Sequence, residues 1–568
     1  MKNLSTAILV LMLAGIMLLS ACSAAPPPAQ QPVTAPPAAT AAPSAPRSEQ
    51  PSFGSSSAPG AGSYSIGLSA GGAKDIANFR ENIRNNYLPL PSDVTYEGLF
   101  YDYYFETGAV APANKLFSPA YHSAVTRDPF SEQTEYYLSI GLNSGLQQSD
   151  FQRKKLNLVI VLDNSGSMNE AYNQYYYDGT GKNIDTYAEE GINRLTKMQS
   201  AAESVVSILN QLRNDDQVSI LTFNSSASLL KPMGLVGRAN MRDVKNRVLD
   251  ITAGGGTSLS AGLDLAARQF NNLREVDGYE YENRIIILTD AQPNTGDYSG
   301  SGLLEMTAQN AANRIYTTFI GIGVDFNSQL IEQITKIKGA NYYSVHSPGE
   351  FRNRVEEEFE YMVTPLVFNL ELNFASEGWR IEKVFGSPEA NEATGKLMYI
   401  NTLFASKSEN GQTRGGLVLL KLKKTSSAAN ESITLRTSYE DRNGRIDGDK
   451  QVVYLETLQP EYFDNNGIRK GVLLSRYAAL LKNWTQDERQ NMHLSAPWEP
   501  CINDDKGIII PIEVVFSQWE RQSLPLTVSA NYSRIFRDFS DYFESEMDAI
   551  RDNTLGQELD IINMLSRY

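Results

Sequence analysis

Leu156-Asn157-Leu158-Val159-Ile160-Val161-Leu162 runs directly into Asp163-Asn164-Ser165-Gly166-Ser167. A short, nearly unbroken apolar run suits a central parallel strand covered on both faces by helices. The polar, hydroxyl-rich turn after it then lies at the carboxyl edge of the sheet, where open α/β folds bind ligands. The residues downstream keep the same rhythm. Helical spacing over 194–212 leads into the strand 218–223, and the helix 259–270 into the strand 284–289. Helix 303–312 and strand 315–322 follow, then helix 330–337, strand 342–345 and a closing helix over 348–362. Alternating strands and helices specify an α/β fold with a doubly wound, mostly parallel sheet.

Two further stretches reach the same edge. Gly254-Gly255-Gly256-Thr257-Ser258 is a glycine-rich turn opening a helix, and Asp290 closes the strand Ile285-Ile286-Ile287-Leu288-Thr289. Three hydroxyls (Ser165, Ser167, Thr257) and two carboxylates (Asp163, Asp290) thus come from three loops at one end of the sheet. All are hard oxygen donors, which suit Mg²⁺, Mn²⁺ or Ca²⁺; Mg²⁺ usually keeps several waters and takes one or two carboxylates. Any one of these residues could instead cap a helix; five together at strand ends favour a metal. A phosphatase with an aspartyl nucleophile needs a second aspartate where Ser165 stands. A phosphate-binding loop needs a lysine that the Gly254–Thr257 turn lacks.

This set resembles the metal-ion-dependent adhesion site of von Willebrand factor A domains, over about residues 156–362. The resemblance implies that Ser165, Ser167 and Thr257 coordinate the ion, that Asp163 and Asp290 act directly or through water, and that a protein partner supplies a carboxylate. Ala291 departs from the glycine usual after that aspartate, which puts the local turn in question. Between Asn169 and Asn193 lies a long connection with Tyr172, Tyr175, Tyr176, Tyr177 and Tyr187. Connections in such folds usually take about 4–6 residues, and tyrosine favours binding loops. These tyrosines are therefore expected to contact a partner; the alternative is a surface insertion without a binding role.

The flanks set the address. Residues 1–21 read as a signal peptide: thirteen apolar residues from Ala7 to Leu19 would span only about 20 Å of a roughly 30 Å bilayer core. Leu19-Ser20-Ala21-Cys22 resembles the lipobox of bacterial lipoproteins, which implies an acylated Cys22 at the mature N-terminus and an extracytoplasmic, membrane-anchored protein of the bacterial cell envelope. Residues 22–73 are rich in Ala, Pro, Ser and Gly and are expected to form a tether. Within it, Gly67-Leu68-Ser69-Ala70-Gly71 matches a serine-hydrolase elbow by chance, since no apolar strand precedes it.

Residues 74–150 form an N-terminal flanking region, weakly resembling, with Asp128-Pro129-Phe130 and the helix 467–484, the flanks of bacterial lipoproteins that bear an A domain. Residues 151–364 form the A domain and 365–460 a β-rich domain with alternating Phe368, Leu370, Leu372 and Phe374. Residues 461–568 form a mixed α+β C-terminal region, including a strand-like stretch at 508–516. The half-buried strand 134–143 cannot stand alone, so it should pair with strands after Pro365, making the A domain an insertion.

The 568 residues include 50 Lys plus Arg against 66 Asp plus Glu, a net charge of −16. That balance argues against nucleic acid as a partner. Three histidines (His122, His346, His493) and two cysteines (Cys22, Cys501) leave little for a zinc site or a disulfide framework. With no nucleophile–base pair in view, a binding protein rather than an enzyme is expected. The alternatives are a metal-dependent hydrolase and an envelope protein with a purely stabilising ion.

Overall fold

The computed structural model describes residues 65–568 except 109–111, 113–114, 179–194, 274–279, 390–394, 426–431, 456–458 and 496–516. The signal peptide, Cys22, Tyr187, Cys501 and the stretch 508–516 all lie outside the described residues.

The run 155–163 becomes a central strand, and its alternation shows why it is apolar on both sides. Leu156, Leu158, Ile160 and Leu162 pack into one core with the helix Lys197–Asn210. Val159 and Val161 face the opposite core with the helix Leu259–Arg268. Across the sheet the strands run Gly72–Ala73, Asn341–Val345, Ile315–Ile322, Tyr281–Thr289, Lys155–Asp163, Gln217–Phe223 and Ala227–Leu235. Every pairing is parallel except the last. The strand Ala227–Leu235 escapes the sequence pattern because it contains Pro232, which an edge strand tolerates and a central one does not.

A second, ten-stranded sheet holds the pieces on either side of the A domain together. Thr134–Gln147 pairs antiparallel with Leu417–Lys424 and with Ser118–Arg127. The half-buried strand before the A domain thus finds its partners after it, and the α/β unit is an insertion between them.

The tether ends earlier than its composition implies. Ser65–Ala70 is a strand inside the second sheet, between Thr134–Gln147 and Leu397–Ser406. Gly72–Ala73 then joins the edge of the A-domain sheet. Ile66 and Leu68 provide the buried alternation that the surrounding small residues obscure. The serine of the elbow-like Gly67–Gly71 stretch therefore sits in a strand, and its hydroxyl accepts a hydrogen bond from Lys74.

Nor do the terminal regions form separate units. Ile76, capping the helix Ala77–Arg84, and Phe79 and Ile83 within it pack with Trp484 of Asn466–Ser495 and with Phe536 and Phe543 of Ala530–Ile550 in one core. Among the described residues, the region after 461 is helical apart from Tyr462–Phe463, which pairs with Ala124 and Val125, and the irregular stretch 517–529, which bridges Tyr87 and Tyr177. No helix among them is long and apolar enough to cross a membrane.

Candidate metal centre

Asp163 ends the central strand fully buried, with both oxygens engaged. Oδ1 accepts the Ser165 N–H at 2.9 Å, and Oδ2 accepts the Thr289 hydroxyl at 2.6 Å. This arrangement curls the turn so that the Ser165 and Ser167 hydroxyls lie 3.2 Å apart. The glycine-rich loop closes against it: the Gly166 N–H donates to Gly255 O at 2.9 Å, and Gly254 N–H to Asn164 O at 2.8 Å. Gly255 has φ +92°, a conformation that side-chain-bearing residues rarely adopt. Thr257, two residues on, is buried, with its N–H held by Asn294 Oδ1 at 2.9 Å.

Asp290 arrives from the neighbouring strand, with the Ser167 hydroxyl beside it. The turn after it survives the missing glycine: Ala291 takes φ +55° and donates its N–H to the Thr289 hydroxyl at 2.9 Å. Holding an alanine there costs about 1–2 kcal/mol, which the fully buried surroundings must offset. All five predicted donors therefore belong to three interlocked loops at the carboxyl edge.

Sequence reasoning did not single out Lys197 or Asp325. Lys197 begins the helix after the long loop and is completely buried, 3.2 Å from Asp290 Oδ2 and 2.5 Å from Asp325 Oδ2. Burial would push its ammonium pKa down, but the charges of Asp325 and Asp290 outweigh this and raise it. Asp325 follows the strand Ile315–Ile322, so the rule that found Asp163 and Asp290 would have found it too. Lys197 left no such signal, since a lysine near a helix start is ordinarily exposed.

Lys197 bridges the buried carboxylates of Asp290 and Asp325, and Asp163 is close enough to Asp290 for their charges to repel. Asp290 Oδ1 is buried without a hydrogen-bond partner. Burial and the charge of Asp290 push the Asp163 carboxyl up to about 7. Asp290 is raised by burial too, despite Lys197 beside it. Among the described residues no three His, Cys, Asp or Glu side chains converge on one point. An ion here would thus rest on mixed hydroxyl and carboxylate oxygen. The oxygen donor set and the orphaned Asp290 oxygen fit a hard divalent ion.

Residues 157–357 match the model of the von Willebrand factor type A domain. This stretch is a von Willebrand factor A domain. Domains of this type typically mediate protein–protein interaction. The chain is 22% identical over 182 residues to inter-alpha-trypsin inhibitor heavy chain H2 of Sus scrofa, covering 31% of this chain and 19% of that protein. It is 23% identical over 225 residues to heavy chain 4 of Mus musculus, covering 39% and 21%. The chain thus spans about a fifth of the length of these curated relatives. Among solved structures, a von Willebrand factor type A protein from Catenulispora acidiphila aligns with TM-score 0.42 at 14% identity, over 66% of this chain and 82% of that one. The VWA2 paralog of ArnB from Sulfolobus acidocaldarius aligns at 0.37 and 12%, over 80% and 97%.

The long loop of the A domain corrects one expectation. Tyr175 is only 3% exposed: its hydroxyl donates to Asn82 Oδ1 at 2.7 Å, and Arg521 donates to that hydroxyl at 3.0 Å. Tyr172 O accepts the Val324 N–H, and Tyr177 bonds Glu520 at 2.6 Å. Tyr172 ties the loop to the A domain itself, while Tyr175 and Tyr177 strap it to the flanking regions. Tyr175 is therefore a packing residue, not a partner contact. Tyr176 is 42% exposed, and its hydroxyl stands 3.9 Å from where a Cβ on Gly166 would lie, over the hydroxyl turn.

The C-terminal region also reaches this edge. Trp519 buries itself in the A-domain core, and its carbonyl accepts from Asn327 at 2.7 Å. Glu520 Oε1 accepts from Asn294 at 2.9 Å. No local pattern could have placed these residues, which lie about 200 positions downstream of the loops they touch.

Proposed function

We propose that this chain is a lipid-anchored protein of the bacterial cell envelope whose A domain binds a protein partner through a divalent ion, Mg²⁺ by preference. The observation that carries the reading is the buried, unpartnered Oδ1 of Asp290 beside the Asp163 carboxylate and the paired Ser165 and Ser167 hydroxyls. Ser165, Ser167 and Thr257 would hold the ion with neutral oxygens, and Asp163 and Asp290 directly or through water. When bound, the ion supplies an electrophilic docking point for a carboxylate of the partner. Asp163 keeps the turn curled through Ser165 and Thr289, while Lys197 holds Asp290 through its Oδ2. Using neutral hydroxyls leaves the ion positive enough to favour an anionic ligand over water.

Binding rather than catalysis is favoured because the buried carboxylates are committed to hydrogen bonds and the lysine, not to a nucleophile. The anchor rests on the Leu19–Cys22 lipobox alone. Affinity capture from the native envelope, with Mg²⁺ and with EDTA, tests the reading. A partner retained only with Mg²⁺, and lost with Asp163→Ala, is expected. A partner retained equally in EDTA would overturn metal-mediated binding.

A further inference from the structure

Outside the A domain, the strands 134–147, 379–385 and 417–424 and the helices 466–495 and 530–550 enclose a cleft of about 520 Å³. Its walls are largely apolar, with Phe385, Leu480, Ile535 and Phe539 among them. At its mouth Phe130 is 50% exposed and stacked on Phe539 at 6.1 Å.

Its charges do not balance. Lys383 and Lys421 are direct cross-strand neighbours, an arrangement that is unfavourable for like charges. Glu135 pairs with Lys421 and also, at 2.7 Å, with Arg476. Asp128 Oδ1 accepts from the N–H groups of Phe130 and Ser131 and from the Ser131 hydroxyl. Lys383 is left without a carboxylate among the described residues; its ammonium donates to the Tyr96 hydroxyl at 3.0 Å and lies over the Tyr96 and Phe385 rings. Burial and the charge of Lys421 lower its pKa. The Arg476 side chain is 8% exposed, and its Nε is buried with no hydrogen-bond partner. Three cations thus meet two carboxylates around an apolar hollow of ligand size.

We propose that this cleft binds a small amphipathic carboxylate, its apolar body against Phe130, Phe385 and Phe539 and its carboxylate beside Lys383. Such a ligand relieves the Lys383–Lys421 repulsion and supplies the missing negative charge. A neutral analogue gains only the apolar contact, and a cationic one is repelled.

The test uses 1-naphthoate as probe, with 1-naphthylmethanol as the neutral control, titrated calorimetrically into the full chain in EDTA so that the metal site plays no part. Saturable one-to-one binding of naphthoate, at least ten-fold tighter than the alcohol, is expected from a charge-assisted hydrogen bond. Lys383→Gln should abolish the preference for naphthoate while leaving alcohol binding unchanged. Phe130→Ser, at a half-exposed turn position, should weaken both ligands several-fold and serves if the lysine variant does not fold. Absence of saturable naphthoate binding, equal affinity for the alcohol, or an unchanged preference in Lys383→Gln would each overturn the proposal.

Discussion

Replacing Asp163 by asparagine isolates the electrostatic demand of the metal centre. The asparagine keeps an acceptor for the Ser165 N–H and places an amide against the Thr289 hydroxyl, so both local hydrogen bonds have a counterpart. What changes is charge. Burial and then Asp290 raise the Asp163 carboxyl to about 7 in the folded chain, against roughly 3.9 when unfolded. A raised folded pKa means that the folded state holds the proton more tightly. This contribution to stability is fully present below about pH 4 and is lost as pH rises through 7. Three units correspond to an upper bound of about 4 kcal/mol.

In EDTA, the wild type should therefore lose stability relative to Asp163→Asn between pH 4 and pH 7.5. A hundred-fold excess of Mg²⁺ over its dissociation constant should restore about 2.7 kcal/mol to the wild type and little to the variant. Urea melts across this pH range, with and without Mg²⁺, measure both. Parallel pH profiles, or equal Mg²⁺ responses, would refute the picture of a repelling pair awaiting a cation.

Lys197→Met leaves Asp290 and Asp325 buried without their cation, so the domain should lose about 3–5 kcal/mol in metal-free urea melts. Ala291→Val should cost about 2 kcal/mol or more, because a β-branched side chain is forced into positive φ; Ala291→Gly should stay within about 1 kcal/mol of wild type in the same melts. Tyr176→Ser should reduce Mg²⁺-dependent partner capture with an unchanged melting temperature. Tyr175→Ala should instead lower the melting temperature by unstrapping Asn82 and Arg521. Cys22→Ser should abolish acylation and release the protein from membranes, read by mass spectrometry of the N-terminus and by fractionation, since stable anchoring takes more than one acyl chain.

The α/β rhythm was legible because its signals are local. A strand buried on both faces must be apolar at every position, and Leu156–Leu162 is so but for Asn157. Asp163, Ser165, Ser167 and Asp290 were legible for the same reason, since the end of a parallel strand is a place that the sequence marks, and Thr257 was legible from the glycine run that opens a helix. Ser65–Ala70 was missed because a strand of small residues, stabilised by neighbours from positions 143–147 and 403–406, resembles a spacer when read alone.

Only the tertiary structure decided which tyrosines of the long loop face inward, that Lys197 supplies a buried counter-charge, and that Trp519 and Glu520 close on loops some 200 residues earlier. Side-chain alternation and strand ends depend on neighbours a few positions apart, so the sequence carries them. Charge compensation and the burial of a loop depend on which distant surfaces meet, and that is settled only when the two sheets and the terminal helices pack.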